Sequence, residues 1–121
     1  MIRISHLTKS YGADRAIDDV TLNIDRNEVV SIIGYSGSGK STLIRCISGL
    51  ESYDSGSIVT GVTPKGSYPG IGMVFSESNL FPHMTILQNL MLAPMKVLGM
   101  PKKQAEAEAI QILERVGIWS V

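Results

Sequence analysis

The chain has 121 residues, of which 44% are hydrophobic and 18% charged, a composition typical of a soluble globular domain with one core. Its 11 basic and 11 acidic residues cancel, so net charge does not indicate nucleic acid or an anionic membrane as the main partner. The longest apolar stretches, near Val29–Ile33 and Leu90–Leu98, are too short or too interrupted to span a bilayer. No signal-like segment follows Met1, which predicts a cytoplasmic location.

The first 33 residues predict a strand-rich region. Apolar residues alternate with polar ones near the start, at Ile2 and Ile4, and again from Val20 to Ile24. The continuous apolar run Val29–Ile33 then predicts a buried strand that leads into a glycine-rich segment.

A helix is predicted to follow this glycine-rich segment, beginning near Lys40 and ending near Gly49. Its apolar side chains recur at the spacing of one helix face, so these residues are expected to face a core: Leu43, Cys46, Ile47 and Leu50. Cys46 is the single cysteine; it is predicted to be a buried small hydrophobe, and it excludes a disulfide within the chain.

The remainder of the chain predicts two further short strands and then helices. Ile58-Val59 and Ile71–Phe75 read as strands, the second one buried. From Met84 onward the pattern is helical, with predicted breaks at Pro94 and at Gly99–Pro101. The last helix is predicted to run from about Pro101 to Val116 and to end at Gly117, with one apolar stripe: Ala105, Ala109, Leu113 and Val116.

The glycine-rich segment matches the phosphate-loop pattern GxxxxGK[ST], and it lies between a predicted strand and a predicted helix, as that motif requires. Its glycines allow successive N–H groups to point at phosphate oxygens. Lys40 is expected to reach the β- and γ-phosphates, Ser41 to ligate Mg²⁺, and Thr42 to bond a phosphate oxygen. The alternative is a surface turn that binds nothing. The candidate nucleotide-binding residues of the loop are Gly34, Tyr35, Ser36, Gly37, Ser38, Gly39, Lys40, Ser41 and Thr42.

Four segments occur in an order that resembles an ABC transporter ATP-binding subunit, N-terminal half only: Tyr11-Gly12, the phosphate loop, Asp54–Ile58 and Asn79–Thr85. Three further segments resemble the polar amino-acid importer type in particular: Ser31–Gly34, Ser41–Ile47 and Leu92–Met100. The resemblance implies an α/β fold, a truncated phosphate-loop nucleotide-binding domain in which the strand before the loop is central in a mostly parallel sheet. Residues 1–81 would be the strand lobe and phosphate-loop core, and residues 82–121 the start of the helical subdomain.

The same resemblance implies a role for Tyr11 and a set of partners. An aromatic at this position stacks on adenine in the family, whereas by itself Tyr11 reads as a half-exposed tyrosine at a strand end. The implied ligands are ATP and Mg²⁺. The implied partners are transmembrane permease subunits and a second ATP-binding subunit, with the chain peripheral on the inner face of the plasma membrane, not inserted in it and not bound to nucleic acid.

The chain also departs from the family pattern. Ser76 stands where relatives carry a glutamine that contacts Mg²⁺ and the attacking water, and its side chain is too short for that role. The LSGGQ signature, the strand ending in Asp-Glu and the switch histidine are absent from the sequence, and neither His6 nor His83 lies at the switch position. The expectation is therefore ATP binding without hydrolysis by this chain alone, with no catalytic residue assigned.

Two functions remain open from the sequence. The first is the ATP-binding subunit of an amino-acid importer, or an N-terminal fragment of such a subunit. The second is a non-enzymatic nucleotide-binding or interaction module that pairs with intact subunits. A GTPase is disfavoured because no Asn-Lys-x-Asp motif occurs. Since parallel strands are normally paired on both sides, an unpaired strand at Val29–Ile33 would expose apolar surface and lower stability.

Overall fold

The computed structural model describes residues 1–61 and 71–118, which form two compact units, Met1–Val74 and Phe75–Val121. The division at residues 81 and 82 inferred from the sequence stays a prediction. No helix among the described residues combines the length and apolar character needed to cross a membrane. The elements in chain order are β1 (Ile2–Tyr11), β2 (Asp14–Ile24), α1 (Lys40–Ile47), β3 (Ser55–Thr60), α2 (Ile86–Val97) and α3 (Lys102–Arg115).

The first unit contains a three-stranded antiparallel sheet in the order β2-β1-β3. β1 and β2 form a hairpin in which Ile2 pairs with Ile24 and Ile4 with Leu22, so the alternating pattern at the start of the chain is confirmed as two strands. The pairing of β1 with β2 shifts register at three places between Ile4 and Ser10. Such irregularities change the direction of the side chains near a strand end.

The core of this unit lies between the sheet and α1. Ile4, Leu7 and Ile17 from the hairpin pack with Leu43 and Cys46 of the helix, all of them buried. Burial of the Cys46 side chain raises the pKa of its thiol, which matches the predicted structural role.

One member of the predicted helix face lies outside the core. Ile47 packs against the cluster, but Leu50 is 59% exposed. The helix ends at Ile47, and Gly49 has a φ of +74° that turns the chain away. The helical spacing therefore does not extend to Leu50.

The predicted strands Val29–Ile33 and Ile71–Phe75 are wrong. Neither segment is a strand in the structure, and Val29, Ile33 and Val74 are each more than 90% exposed. A strand requires the backbone of a neighbour to complete its hydrogen bonds, and no pairing with either segment occurs within residues 1–61 and 71–118. The expected parallel sheet is likewise not formed by these residues.

In the second unit, α2 begins at a capping box. The Thr85 hydroxyl accepts from the Gln88 N–H at 3.2 Å, and the Gln88 side chain accepts from the Thr85 N–H at 2.9 Å. The predicted break at Pro94 is wrong, because α2 continues through this residue to Val97. Proline cannot donate a hydrogen bond from its own nitrogen, but the Pro94 carbonyl still accepts from the Leu98 N–H at 3.2 Å.

α3 packs on α2 through the predicted stripe. Ala105 and Ala109 are buried with Met91 of α2 in one cluster, and the small alanines allow a close approach of the helices. Leu113 is also buried. Val116 is 61% exposed, because the helix ends at Arg115 before it and Gly117 follows with a φ of +72°.

A partly buried ion pair connects the end of β1 with the segment after α1. The Lys9 ammonium lies 3.1 Å from a Glu51 carboxylate oxygen, and the two side chains are only 10% and 26% exposed. The hydrogen bond between them is the largest cause that lowers the pKa of Glu51 and raises the pKa of Lys9. Tyr11, Asp54 and Cys46 are the other titratable groups close to the pair.

This pair predicts a pH window for stability. Because the folded-state pKa of Glu51 is below its ordinary value of 4.5, its contribution is present above that pH and is lost as pH falls through the lowered pKa. Because the pKa of Lys9 is above its ordinary value of 10.5, its contribution is present below that pH and is lost as pH rises through the raised pKa.

We therefore expect Glu51→Gln to lower the thermal midpoint by a constant amount across the neutral range. The difference in thermal midpoint from the parent chain should shrink in acid, because Glu51 of the parent is then protonated and is neutral like the glutamine of the variant. Thermal unfolding of the two proteins in a series of buffers from about pH 3 to about pH 8 measures this. A midpoint difference that persists unchanged in acid would contradict the assignment.

Candidate functional site

The phosphate-loop segment lies against the hairpin of β1 and β2, and the two enclose an open cleft of about 630 Å³. One wall is the turn region of the hairpin and the other is the loop with the first turn of α1. The residues that line it are Tyr11, Ala13, Asp14, Arg15, Ala16, Gly37, Ser38, Gly39, Lys40, Ser41 and Thr42.

Glycine at position 39 is required by the close approach of these two walls. Gly39 has a φ of +86°, and a Cβ there would collide with the carbonyl oxygen of Ala16. Gly37 has a φ of +80° with open space around it. Gly39 therefore permits the contact with the hairpin, and Gly37 permits the left-handed turn that keeps the loop backbone at the cleft.

The helix start supplies hydrogen-bond donors to this cleft. α1 begins at Lys40, and its N-cap Gly39 has no side chain with which to cap it. The first bond of the helix is donated by the Leu43 N–H to the Gly39 carbonyl at 2.9 Å. The N–H groups of the preceding first-turn residues therefore have no acceptor within the helix, and together with the helix dipole they favour an anion at this end.

The Lys40 side chain folds back over the loop. Its ammonium donates to the carbonyl oxygens of Gly34 at 2.8 Å and Tyr35 at 2.6 Å, and to the Ser38 hydroxyl at 3.1 Å. A single cation thus holds three oxygens of the loop and lies at its centre. This arrangement concentrates positive charge where the backbone donors also converge.

The predicted loop residues are not all at the cleft. Ser41 and Thr42 line it from the first turn of α1, whereas the side chain of Tyr35 is 92% exposed and Ser36 is exposed without lining the cleft. Gly34 faces the loop interior, where an added Cβ would lie 2.7 Å from the Ser38 hydroxyl.

The donor set fits a magnesium nucleotide. Among the described residues, no group of three His, Cys, Asp or Glu side chains could hold a metal ion, and the Ser41 hydroxyl is the oxygen that the sequence assigns to Mg²⁺. This single protein oxygen suits Mg²⁺, which usually binds through phosphate oxygens and water with few protein ligands. The residues present therefore fit a cation that arrives with its phosphates.

The structure brings Tyr11 to the same cleft as the loop. Tyr11 is the last residue of β1, lines the cleft and is 47% exposed. The Lys9 ammonium lies 4.9 Å from the centre of its ring, a cation–π contact. An aromatic ring and the hydrogen-bond donors at the start of α1 thus share one concave surface.

Several residues of this surface were missed in the sequence. The turn residues Ala13 to Ala16 carry no motif, and the nearest signal was the Tyr11-Gly12 pair that starts the turn. Arg15 is a second cation on the cleft wall, bonded to Asp18 at 2.9 Å. Lys9 and Glu51 do not line the cleft, and no sequence motif marks them, because their contact depends on how the chain folds.

The two histidines are exposed at the surface. His6 is 78% exposed and contacts Asp19 at 2.7 Å. His83 packs edge-on against Phe81, with ring centres 5.9 Å apart. Neither contact involves a residue of the cleft.

Comparison with known proteins gives one consistent result. A family model described as ABC transporter matches residues 17–121. The chain is 49% identical to the glutamine transport ATP-binding protein GlnQ of Geobacillus stearothermophilus, with 98% of this chain aligned to 52% of that protein. It is 46% identical to the glutamate/glutamine/aspartate/asparagine transport ATP-binding protein BztD of Rhodobacter capsulatus, with 97% aligned to 48%.

Solved structures agree with these sequence relatives. A dimeric post-hydrolysis structure of the ATP-binding cassette MJ0796, bound to ADP and Pi, matches with a TM-score of 0.78 and 32% identity, over 94% of this chain and 56% of that one. The chain spans about half the length of the curated relatives it matches. Its fold is therefore that of part of an ABC ATPase cassette, and the chain belongs to the ABC transporter family.

Proposed function

We propose that this chain binds ATP with Mg²⁺ in the cleft between the phosphate loop and the β1–β2 hairpin. We further propose that it acts as the nucleotide-binding part of a subunit that energises the import of polar amino acids. The observation that carries the proposal is that Tyr11 and the phosphate loop line one cleft. A nucleotide needs both, since its base stacks on an aromatic ring and its phosphates bind cations and N–H groups.

The phosphate end of the nucleotide would lie at the start of α1. The first-turn N–H groups supply donors there, and the Lys40 ammonium is a cation that already lies at the centre of the loop. The loop carbonyls that now accept from Lys40 compete with phosphate for the same ammonium. An incoming γ-phosphate would offer charged oxygens, which form stronger bonds than neutral carbonyls.

Ser41 and Thr42 complete this end of the site. Both line the cleft from the first helical turn. When bound, Mg²⁺ would neutralise phosphate charge, and the Ser41 hydroxyl would be its ligand from this chain. The Thr42 side chain would donate to a phosphate oxygen.

The transported substrate and the partners are proposed from the relatives. Glutamine, glutamate, aspartate and asparagine occur in the names of the relatives, all of them transport ATP-binding proteins. A polar amino acid is accordingly the proposed cargo. The proposed partners are transmembrane permease subunits and a second ATP-binding subunit, with this chain peripheral on the inner face of the plasma membrane.

Replacing Lys40 tests the phosphate end. Lys40→Ala removes the cation at the centre of the loop, and hydrogen bonds to charged groups contribute about 1.5–3 kcal/mol each, so measurable Mg²⁺-dependent ATP binding should be lost. Lys103→Ala makes the same change on the exposed face of α3 and should leave binding unchanged. Titration with a fluorescent ATP analogue measures both, and equal affinities for Lys40→Ala and the parent would reject the loop assignment.

Replacing Tyr11 tests the base end. Tyr11→Ala should weaken ATP by roughly 1–3 kcal/mol if the ring stacks on the base, which is about 5- to 150-fold in Kd. Tyr11→Phe keeps the ring and should retain most of the affinity. Binding of Mg²⁺-tripolyphosphate, which has no base, should be equal in all three proteins; a parent-like ATP affinity for Tyr11→Ala would remove the residue from the site.

The chain by itself should bind ATP without sustained turnover. Phosphoryl transfer to water needs a water-orienting group and charge stabilisers that act together, and their effects are strongly non-additive. Ser76→Gln alone should therefore not create activity. Phosphate release at saturating ATP and Mg²⁺ measures this, and Lys40-dependent multiple turnover by the unmodified chain would overturn it. Glu77, the carboxylate that directly follows Ser76, would then be the first candidate for a base, and Glu77→Gln would test it.

A further inference from the structure

Tyr11 occupies a strand end, where a side chain needs support to hold one orientation. It is the last residue of β1, pairs with Asp14 across the hairpin, and is followed by Gly12 with a φ of +61°. Almost half of the side chain is exposed. An exposed ring at a turn has free rotamers unless other groups restrict it, and ordering it on ligand binding would cost affinity.

The support comes from Lys9, two residues earlier on the same strand. The register of β1 shifts between Lys9 and Ser10, and the Lys9 ammonium lies 4.9 Å from the centre of the Tyr11 ring. The side chain of Lys9 is only 10% exposed. A buried lysine is unusual without an anionic partner, and its partner here is Glu51, at 3.1 Å.

Glu51 is itself held by the end of α1. Its N–H donates to the Arg45 carbonyl at 3.2 Å, within the turn that closes the helix. The segment that follows Glu51 is bonded to β1 on both sides of Lys9: the Asp54 N–H donates to the Thr8 carbonyl at 2.9 Å, and the Ser10 N–H donates to the Asp54 carboxylate at 2.7 Å. Glu51 therefore has a fixed position relative to the strand.

We propose that Lys9 and Glu51 are positioning residues for the base of the bound nucleotide: they hold the Tyr11 ring so that the face opposite Lys9 is presented to the cleft. This inference rests on the proposed function, since it assigns a role to residues behind the base-stacking ring. Neither Lys9 nor Glu51 lines the cleft, so both act through Tyr11. The cation on one ring face also draws electron density towards itself, which favours stacking of a purine on the other face.

The arrangement further links the two ends of the site. α1 begins at the phosphate loop and ends at the turn that places Glu51. Glu51 forms the ion pair with Lys9, and the Lys9 ammonium contacts the Tyr11 ring. The ring is thus fixed to the same helix whose first turn faces the phosphates, and the distance between the base and phosphate subsites is set by one element.

The test compares Mg²⁺-ATP with Mg²⁺-tripolyphosphate on the full chain. The Kd for Mg²⁺-tripolyphosphate divided by the Kd for Mg²⁺-ATP measures how much affinity the nucleoside adds. Lys9→Met and Glu51→Gln should each reduce this ratio several-fold while leaving the tripolyphosphate Kd within about twofold of the parent, because the phosphate loop is untouched. Asp19→Asn is the matched control, since it neutralises the carboxylate of the exposed pair with His6, and it should leave both Kd values unchanged.

Two further variants separate positioning from a general loss of structure. Lys9→Arg retains a cation that can contact both the ring and Glu51 and should restore most of the ratio. Adding Lys9→Met to Tyr11→Ala should cause no additional loss, because a residue that acts only through the ring has no effect once the ring is gone. Glu51→Gln is the conservative variant that keeps a hydrogen-bond acceptor, and its circular dichroism spectrum should match that of the parent.

The outcomes distinguish this inference from the proposed function. If Tyr11→Ala lowers the ratio but Lys9→Met and Glu51→Gln do not, or if they weaken ATP and tripolyphosphate equally, the positioning role is wrong while the nucleotide site stands. If Tyr11→Ala leaves the ratio unchanged or Lys40→Ala leaves tripolyphosphate binding unchanged, the nucleotide site itself is wrong, and the positioning role falls with it.

Discussion

The packing of α1 on the β1–β2 hairpin is the contact on which the candidate site depends. Leu43 and Cys46 are buried against Ile4, Leu7 and Ile17, and burial of a large aliphatic side chain contributes about 1.5–3 kcal/mol. This contact fixes the direction of a helix of only eight residues, which would not be stable alone. Because the helix axis is fixed, its first turn and the phosphate loop before it face the hairpin turn, and the cleft exists as a consequence.

The site consists mainly of backbone, which explains the residue types around it. Lys40 bonds two loop carbonyls, the first-turn N–H groups have no acceptor within the helix, and Gly39 lies so close to the Ala16 carbonyl that no side chain fits. Side chains within the same motif are correspondingly free, as the 92% exposure of Tyr35 shows. A phosphate group is recognised by such convergent donors and does not need a particular side chain at every position.

Polar contacts in the first unit differ in how much they can contribute to stability and to local geometry. The exposed pairs His6–Asp19 and Arg15–Asp18 are well solvated, and such pairs are worth about 0–1 kcal/mol. Lys9–Glu51 is shielded from water, is reinforced by the Asp54 bonds to β1, and contacts the ring of Tyr11. In such a pair, loss of one partner leaves a shielded charge unpaired, so it restricts local geometry more strongly than a surface pair does.

The sequence by itself determined the features that depend on neighbouring residues. The alternation of Ile2 and Ile4 specified β1, the spacing of Leu43 and Cys46 specified the buried face of α1, and the glycines with Lys40 specified the phosphate loop, because each pattern acts through the local backbone. The family followed from the same motifs.

Only the tertiary structure decided the rest. The run Val29–Ile33 has strand composition, but a strand exists only where another backbone pairs with it, and none does among the described residues. The contact of Lys9 with Glu51 joins the end of β1 to the segment after α1, and no local pattern encodes a contact between segments that meet only after folding.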